Sequence, residues 1–514
     1  MKRKFARIAA IVLALVLVLA ACGEEKTSIN VEKTLTHQLS EEEVTFTLFA
    51  KKLDDYYGQD VFTEAFKMTN VMLEPVLSEN ESNTSQALAL SIASGDMADI
   101  IASNRNNLTK YGRDGALIPL NDLIEEHAPN IKKYFDEHPE DLYALQASDG
   151  NIYYIPFIQD GEASEGWFIR KDWLRNLNLE EPKNIDELYK VATAFKTQDP
   201  NGNGKADEVP LFGDVVPMVL SLYNINESFS YVDGKAVYNP MTDEFKEAIS
   251  VLAKWYKEGL IDQEVFMRTD ARNFFLNSNT GGISHSWFGS SSQYNETLKD
   301  TFPGIDYSPM APPAGVDGVI RELKRRGTVS GEGWGISATN KNPELAMKYL
   351  DFWWTEEGRR LANFGIEGRD YDMVDGKPIF REEVLKNPEM AVSAYTIKLR
   401  ANLNFGFRQD FAYEEQWLTP IAKEGMELYE KNGYIPKIED IPVIKYDEDV
   451  EQNQLVLKTQ LETHLDECVQ KWILGKEDVN TGFSAFKNQM KSLGVEDYIR
   501  NEQNAYDNYL KIVK

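Results

Sequence analysis

The segment from Asp199 to Glu208 has the residue types and spacing of a calcium-binding loop. Side chains that carry oxygen occupy the first, third, fifth and ninth positions, Gly204 occupies the sixth, and the seventh offers its backbone carbonyl. The twelfth position is Pro210 instead of a bidentate glutamate, so Glu208 at the tenth is the natural substitute. We interpret the segment as half of an EF-hand with a structural role. The alternative is a solvated Asn-Gly turn.

Three of the nine tryptophans are candidates for contact with a ligand, and for Trp287 and Trp334 this is favoured over packing. Trp287 and Trp334 are surrounded by serines and glycines, and a flat ring at the end of a strand suits the face of a sugar. Trp417 follows Tyr413 and two glutamates and is a third candidate. Core packing is the alternative for all three. Five other tryptophans follow a helical period and are assigned to the core: Trp173, Trp255, Trp353, Trp354 and Trp472.

Motifs of common catalytic sites are missing from the sequence. It has no nucleophile elbow, phosphate loop, dinucleotide fingerprint or zinc-type histidine pair, and five His leave little for acid-base chemistry. The acidic pairs Asp54-Asp55 and Glu414-Glu415 would suit a glycosidase if they faced a cleft, but adjacent acids more often form a solvated face. We therefore expect a binding protein and no enzyme. The alternatives are a secreted glycosidase or lyase and a surface adhesion protein.

The candidate residues are carried by segments that alternate between strand and helix periods. Residues 44 to 49 alternate like a first strand, Gln86 to Ala93 predicts a helix that ends at Gly95, and 97 to 102 predicts a short buried strand. A helix from Ile185 to Lys196 immediately precedes the calcium loop. Such alternation is typical of a parallel α/β sheet flanked by helices.

A segment punctuated by proline indicates a crossing between two lobes. Asn151 to Phe157 predicts an apolar strand broken by Pro156, and Asp160-Gly161 follows it. Because ligands gather beyond the carboxyl ends of strands in α/β lobes, loops after predicted strands supply the candidate contacts. The predicted cleft residues are Asn104, Arg105, Asp160 and Trp287, with Trp334 and Trp417 as further stacking platforms.

The N-terminus predicts a cleaved and lipid-anchored chain. Basic residues, the apolar run from Ile8 to Leu19 and two alanines form a signal peptide over residues 1 to 21, and a polar tether spans 22 to 43. The segment that ends at Cys22 resembles the bacterial lipoprotein box, with an ordinary cleaved signal as the alternative.

The chain carries 55 Lys plus Arg and 83 Asp plus Glu, for a net charge of -28, which argues against a nucleic-acid partner. Cleavage removes four basic residues and leaves 51 positive against 83 negative charges, a net of -32. Anionic lipid would not hold such a surface, so acyl chains on Cys22 must supply the attachment.

Several motifs occur together in this chain. They are the lipoprotein box, the calcium loop and the runs Ser94 to Ile100, Trp167 to Leu174, Asn342 to Glu344 and Gly365 to Tyr371. Together they resemble the extracellular solute-binding lipoproteins of bacterial ABC sugar transporters. Within that family they are similar to the large oligosaccharide binders of the Paenibacillus and Bacillus kind, which are related to alginate-binding periplasmic proteins.

The resemblance implies an α/β, two-lobed periplasmic-binding-protein (Venus flytrap) fold, with residues 44–154 and 313–370 in the first lobe and 155–312 and 371–514 in the second. It implies a monomer at the extracellular face of the cell membrane that holds an oligosaccharide in its cleft and releases it to an ABC permease. Carried over to this chain, the Ca²⁺ ligands are Asp199, Asn201, Asn203, Lys205 through its carbonyl, Asp207 and Glu208.

Overall fold

The computed structural model describes residues 34–51, 60–78, 82–327, 329–387, 390–400, 405–437 and 441–512. The predicted signal peptide, Cys22 and the first part of the predicted tether lie outside these residues. Between Thr34 and Leu39, four backbone N–H groups donate to the carbonyls of Lys67, Met68 and Thr69 at 3.0 to 3.1 Å. This stretch, which we predicted to be part of the tether, is therefore attached to the first lobe.

Strands and helices alternate through most of the chain. The strands are β1 Val44–Lys51, β2 Val71–Leu77, β3 Ile100–Asn104, β4 Ile155–Ile158, β5 Glu165–Arg170, β6 Val209–Leu211, β7 Phe229–Val232, β8 Lys235–Tyr238, β9 Gly281–Trp287, β10 Tyr307–Pro309, β11 Val329–Ile336, β12 Tyr371–Val374 and β13 Lys377–Phe380.

The α-helices are α1 Val61–Thr69, α2 Thr84–Ser94, α3 Arg105–Arg113, α4 Asn121–His127, α5 Pro129–Glu137, α6 Pro139–Leu145, α7 Lys171–Leu177, α8 Ile185–Thr197, α9 Val215–Ser221, α10 Asp243–Lys257, α11 Ala271–Asn277, α12 Phe288–Leu298, α13 Pro343–Phe352, α14 Glu356–Phe364, α15 Glu382–Leu385, α16 Val392–Leu399, α17 Phe411–Glu415, α18 Pro420–Lys431, α19 Glu448–Ile473, α20 Val479–Ser492 and α21 Val495–Ile512.

Each lobe is built on one sheet in which a single strand opposes the others. The first sheet has the order β2-β1-β3-β11-β4, and β11 is antiparallel to its neighbours. The second has the order β10-β5-β9-β6, and β5 is antiparallel to β10 and β9. The opposing strands, β11 and β5, are those by which the chain enters each lobe from the other. The predicted α/β architecture with mostly parallel sheets is confirmed.

This topology brings the carboxyl ends of the remaining strands to the interface between the lobes. β1, β3 and β4 of the first sheet end there, and so do β6, β9 and β10 of the second, while β11 and β5 begin there. Ligands in α/β lobes bind beyond these ends. The cleft edge of each lobe is therefore set by its sheet.

Separate hydrophobic cores lie under the two sheets. Ile100, Ile155 and Tyr349 are fully buried in the first, and Phe195 and Ile283 in the second. The five tryptophans that we assigned to the core are buried as predicted, with exposures of 0 to 9%. The predicted helix before the calcium loop is confirmed as α8, whose cap Asn184 accepts from the backbone N–H of Glu187 at 3.0 Å.

The packing differs from the predicted lobe boundaries in three stretches. Ile155–Ile158 forms β4 of the first sheet, although we placed residues 155–312 in the second lobe. Phe405 and Phe407 belong to the first core, where the ring of Phe405 lies 4.6 Å from that of Trp353, although we placed residues 371–514 in the second lobe. Ala314 forms a β-bridge with Asn184 of the second lobe, although we placed residues 313–370 in the first. Aromatic packing and strand pairing between distant residues override the boundaries that local sequence indicates.

The C-terminal helices extend the second lobe. α19 packs on α10, and α21 packs on α19 and β8. We call residues 441–512 the C-terminal module. Within the described residues, no helix combines the length and apolarity that a bilayer crossing requires.

Candidate ligand-binding site

Trp287 lies at the cleft edge of the second lobe with its side chain half in solvent. It is the last residue of β9, stands opposite Glu165 at the start of β5, and is 50% exposed. Large apolar side chains this exposed, at the rim of a cleft, are typical of contacts with ligands. The structure thus places Trp287 where the sequence predicted it.

A charged histidine lies beside Trp287. His285, two residues earlier on the same face of β9, contacts Glu322 through Nε2 at 2.9 Å and Glu165 through Nδ1 at 3.5 Å. Burial alone would lower the pKa of His285, but hydrogen bonds with the two carboxylates raise it to about 9. Lys324 also donates to Glu165 at 2.8 Å. Near Trp287, the negative charges of the two glutamates are therefore balanced by the positive charges of His285 and Lys324.

The other face of β9 is held by an arginine. Arg272 Nη1 donates to the hydroxyls of Ser286, Ser290 and Ser291 at 2.8 to 3.0 Å. These contacts join the end of β9 to the start of α12, where Phe288 is fully buried. They fix the backbone that carries Trp287.

Asp160 lies in the hinge, which we define as residues 159–164, 325–327 and 408–411. Its carboxylate accepts from the backbone N–H groups of Gly161 and Phe411 at 3.0 Å, and it is 3.9 Å from Arg359. The side chain is 41% exposed. Asp160 thus joins two crossing segments while part of its surface faces solvent.

A buried ion pair ties all three crossings together. Arg326 donates to Glu414 at 2.8 and 2.9 Å and to the carbonyl of Asp160 at 2.7 Å, and the two paired side chains are 8% and 11% exposed. Gln409 donates to Glu414 at 3.2 Å, and its amide oxygen accepts from the N–H of Asp160 at 3.2 Å. Because Glu414 is held in this way, the Glu414-Glu415 pair is not arranged as a catalytic acid and base. Asp54-Asp55 lies outside the described residues.

Trp334 is a core residue, so the prediction that it stacks on a ligand is wrong. Its side chain is fully buried among Phe62, Trp353 and Phe405. The adjacent glycines are explained by close strand packing, because a Cβ on Gly333 would collide with the carbonyl of Ile155 on β4. The glycines beside Trp334 predicted a surface on which a ligand could stack. In the structure they allow β4 to lie close to β11.

Trp417 packs where two hydrophobic clusters meet. Its ring is in contact range of Gly289, where a Cβ would lie 3.1 Å away, and it borders the clusters around Phe288 and Phe380. The indole N–H is buried and has no partner among the described residues. Trp417 is partly exposed, and stacking on a ligand stays a prediction for it.

At the edge of the first lobe, Asn104 and Arg105 occupy the carboxyl end of β3, as predicted. Asn104 is exposed and caps α3 by accepting from the N–H of Asn107 at 3.0 Å. Arg105 is half-buried and donates through Nη2 to the carbonyl of Ala144 at 2.6 Å. Both residues therefore lie at the strand end that we predicted to border the cleft.

A separate cavity of about 450 Å³ lies on the first lobe beside the hinge. Its walls include Tyr134 of α5, Trp354, Arg359 and Arg408, whose guanidinium lies 5.2 Å from the ring of Tyr134. It contains no residue from the strand ends that face the cleft.

The predicted calcium loop connects α8 to the amino end of β6, away from the cleft edge. Asp199 accepts from the N–H groups of Asn203 and Gly204 at 3.1 and 2.9 Å, and Asn201 accepts from Asn203 at 3.0 Å. These Asx turns curl the loop around its own oxygen atoms.

Glu208 is the least satisfied group in this loop. The residue is fully buried, and neither carboxylate oxygen has a partner within the described part of the chain. Burial raises its pKa, and the nearby Asp207 and Asp199 raise it further. Across the described ranges, no three His, Cys, Asp or Glu side chains converge as a metal site. A site here would need the asparagine and carbonyl oxygens as well, which is the donor set that Ca²⁺ prefers.

The C-terminal module also contacts the first lobe directly. Arg113 of α3 forms an ion pair with Glu451 of α19. Tyr143 of α6 lies under the ammonium of Lys445, 3.6 Å from the ring centroid, and 6.2 Å from the ring of Tyr509. We call these five residues together with Arg105 the front contact. The lobes are thus in contact at the front contact as well as at the hinge.

Comparison with known proteins assigns the family. Residues 50–360 match the model of the bacterial extracellular solute-binding proteins. The chain belongs to this family. Its members are binding proteins and not enzymes, in agreement with our expectation from the missing catalytic motifs.

Two of the similar proteins match nearly the whole chain, and a third matches about two thirds of it. The fructooligosaccharide ABC transporter substrate-binding protein FusA of Streptococcus pneumoniae is 26% identical over 567 residues, which cover 99% of this chain and 98% of FusA. The crystal structure of the alginate-binding protein AlgQ2 without calcium ion is 34% identical, with a TM-score of 0.79, and covers 92% of this chain and 100% of AlgQ2. Lipoprotein LipO of Bacillus subtilis is 25% identical over 354 residues, which cover 63% of this chain and 64% of LipO. The predicted family and two-lobed fold are confirmed.

Several residues at this site escaped the sequence analysis. His285 could have been found from the period of two in β9, which puts it on the same face as Trp287. Glu322 and Lys445 carry no local signal, because their partners His285 and Tyr143 are distant in the sequence. Long-range pairing of this kind is visible only in the fold.

Proposed function

We propose that this protein captures an oligosaccharide in the cleft between its lobes and delivers it to an ABC import permease. The observation that carries the proposal is the full-length similarity to AlgQ2, which is named as an alginate-binding protein, at 34% identity. FusA, named for fructooligosaccharides, is similar over the same length. The other candidate classes, a secreted glycosidase or lyase and an adhesion protein, have no comparable support.

Within the cleft, Trp287 supplies a flat apolar surface for one sugar ring. Asn104 and Arg105 face it from the first lobe, and Asp160 lies at the hinge between them. Polar groups of both lobes would orient the sugar hydroxyls, and the ring would supply the contact area. Because the contacts come from two lobes, the ligand holds the lobes together, and the protein acts as a monomer.

The loop from Asp199 to Glu208 binds one Ca²⁺ that braces the second lobe. Support comes from the buried and unpaired carboxylate of Glu208, which a cation would neutralise. The loop lies at the amino end of β6, so the ion contributes to stability and not to sugar contact. Calcium at about 100 times its dissociation constant would stabilise the fold by about 2.7 kcal/mol. Chelation is expected to lower the melting temperature in the wild type and not in Glu208→Gln, and a protein purified in calcium that contains no metal would refute the site.

A lipid on Cys22 anchors the protein at the extracellular face of the cell membrane. The lipoprotein box and the similarity to LipO support this assignment. Changing Cys22→Ala is expected to move the protein from the membrane fraction to the medium. Retention at the membrane would mean that another anchor exists.

A glycan screen tests the function itself. Melting temperatures are measured with a panel of neutral and acidic oligosaccharides, each hit is titrated by calorimetry, and the bound glycan is then incubated with the protein and analysed for products. We expect saturable binding with no product. Turnover of the glycan would establish an enzyme instead, and a panel without any binder would reject the function.

A further inference from the structure

The front contact joins the lobes with charges that are only partly compensated. Arg113 and Glu451 neutralise each other across the interface. Arg105 and Lys445 have no carboxylate partner within the described residues: Arg105 donates to the carbonyl of Ala144 at 2.6 Å, and Lys445 lies over the ring of Tyr143. In a chain with 83 acidic and 55 basic residues, two neighbouring cations without an acidic partner are unexpected.

The two cations belong to different lobes and reach neighbouring residues of α6, Ala144 and Tyr143. Arg105 follows the last residue of β3 in the first lobe, and Lys445 belongs to the C-terminal module of the second. Both are half-buried. Burial, and to a smaller extent the charge of Arg105, together lower the pKa of Lys445 to about 7. Closure of the empty cleft therefore brings like charges together in a poorly solvated place.

An anion between these side chains would remove that cost. A buried charge is tolerated when it is paired and hydrogen-bonded, and the guanidinium of an arginine matches a carboxylate with two parallel hydrogen bonds. Neutral sugar hydroxyls cannot compensate two positive charges. The rings of Tyr143 and Tyr509 beside Lys445 offer apolar faces for the sugar that carries the anion.

We propose that Arg105 and Lys445 form a carboxylate-binding subsite of the cleft, so that the preferred ligand is an acidic oligosaccharide built of uronic acids. The proposal rests on the proposed function, oligosaccharide binding, and assigns its substrate class. The subsite takes one residue from each lobe. A uronate carboxylate therefore favours the closed arrangement of the lobes, and a neutral sugar of the same shape does not.

The test compares an acidic glycan with its uncharged methyl ester, and uses an unrelated neutral glycan as a third ligand. The calcium-loaded mature chain is titrated by calorimetry with trigalacturonate, with its fully methyl-esterified form and with the neutral fructan nystose. We expect trigalacturonate to bind about tenfold or more tighter than its ester, since a charge-assisted hydrogen bond typically contributes about 1.5 to 3 kcal/mol. Sodium phosphate in molar excess should not displace trigalacturonate. Displacement would mean that the subsite takes a phosphate-bearing ligand instead.

Matched variants assign the effect to the subsite. In Lys445→Met and in Arg105→Met, the preference for the acid over the ester should fall about tenfold, whereas Lys458→Met, an exposed lysine of the same module, should keep it. Melting curves of each variant verify that it is folded. Equal binding of acid and ester by the wild type, or an unchanged preference in both subsite variants, overturns the inference. If nystose then binds, the proposed function survives, and if no glycan binds, the proposed function fails as well.

Discussion

The hinge and the front contact both join the two lobes, but they treat charge differently. In the hinge, the buried carboxylate of Glu414 meets Arg326 and Gln409, and the backbone of Asp160 is bonded on both sides. At the front contact, Arg113 is paired with Glu451, but Arg105 and Lys445 remain uncompensated. A satisfied network suits a permanent connection. At the front contact, the two cations without an acidic partner indicate that the ligand supplies the missing negative charge.

The same distinction separates other groups in the second lobe. His285 is buried between two carboxylates and needs no ligand, whereas Glu208 is buried without a partner and fits a cation. A buried carboxylate without a partner is costly, so Glu208 points to a bound cation.

The largest expected effect comes from breaking the hinge pair. In Arg326→Met, Glu414 keeps a buried charge without its main partner, and we expect a loss of about 3 to 5 kcal/mol in the free energy of unfolding. Arg175→Met, which removes a 60% exposed partner of Asp306, should lose less than about 1 kcal/mol. Urea denaturation measures both. Equal losses of unfolding free energy in the two variants would show that the buried ion pair of the hinge contributes no more to stability than an exposed pair.

Trp334 in the core and Trp287 at the cleft edge give the next test. Trp334→Ala removes a fully buried ring and should cost about 3 to 5 kcal/mol of stability. Trp287→Ala should leave stability nearly unchanged and weaken glycan binding by about 2 kcal/mol. Melting curves and titrations separate the two outcomes. A stability loss at Trp287 as large as that at Trp334 would place Trp287 in the core.

The pH dependence of stability tests whether His285 is charged between its two glutamates. Because the pKa of His285 in the folded protein, about 9, is above its ordinary value of 6.5, its contribution to stability is complete below pH 6.5 and is lost as the pH rises through 9. This loss amounts to at most about 3 kcal/mol. His285→Gln should be less stable than the wild type at pH 6 by that amount and should approach it above pH 9. A constant difference across this range would contradict the charged state of His285.

The smallest effect is expected at the front contact. Glu451→Gln removes a partly exposed pair and should change the free energy of unfolding by less than about 1 kcal/mol. It leaves a third cation, Arg113, uncompensated, so the ligand-free lobes should separate more readily. Small-angle scattering should show a larger radius of gyration than in the wild type, with Glu462→Gln on the same helix as the control. A loss comparable to that of Arg326→Met would make the front contact a second permanent connection.

Local patterns were sufficient for the features that depend on near neighbours in the sequence. The helix α8, the loop that follows it and the position of Trp287 at a strand end follow from spacing within a few residues. Trp334 was misread because its glycines serve packing against β4, a segment far away in the chain. Arg105 and Lys445, whose side chains reach neighbouring residues of α6, are 340 positions apart in the sequence. Neither composition nor hydrophobic periodicity predicts that residues so distant in the sequence lie close together in the fold.

The central claim is that the lobes close on an oligosaccharide, and small-angle scattering of the calcium-loaded protein during a glycan titration tests it most directly. The account predicts that the radius of gyration falls in parallel with the calorimetric binding curve, reaching its minimum when one glycan is bound per chain. Trp287→Ala should require more glycan to reach the same compact state. Saturable binding with an unchanged radius of gyration would contradict closure around the ligand.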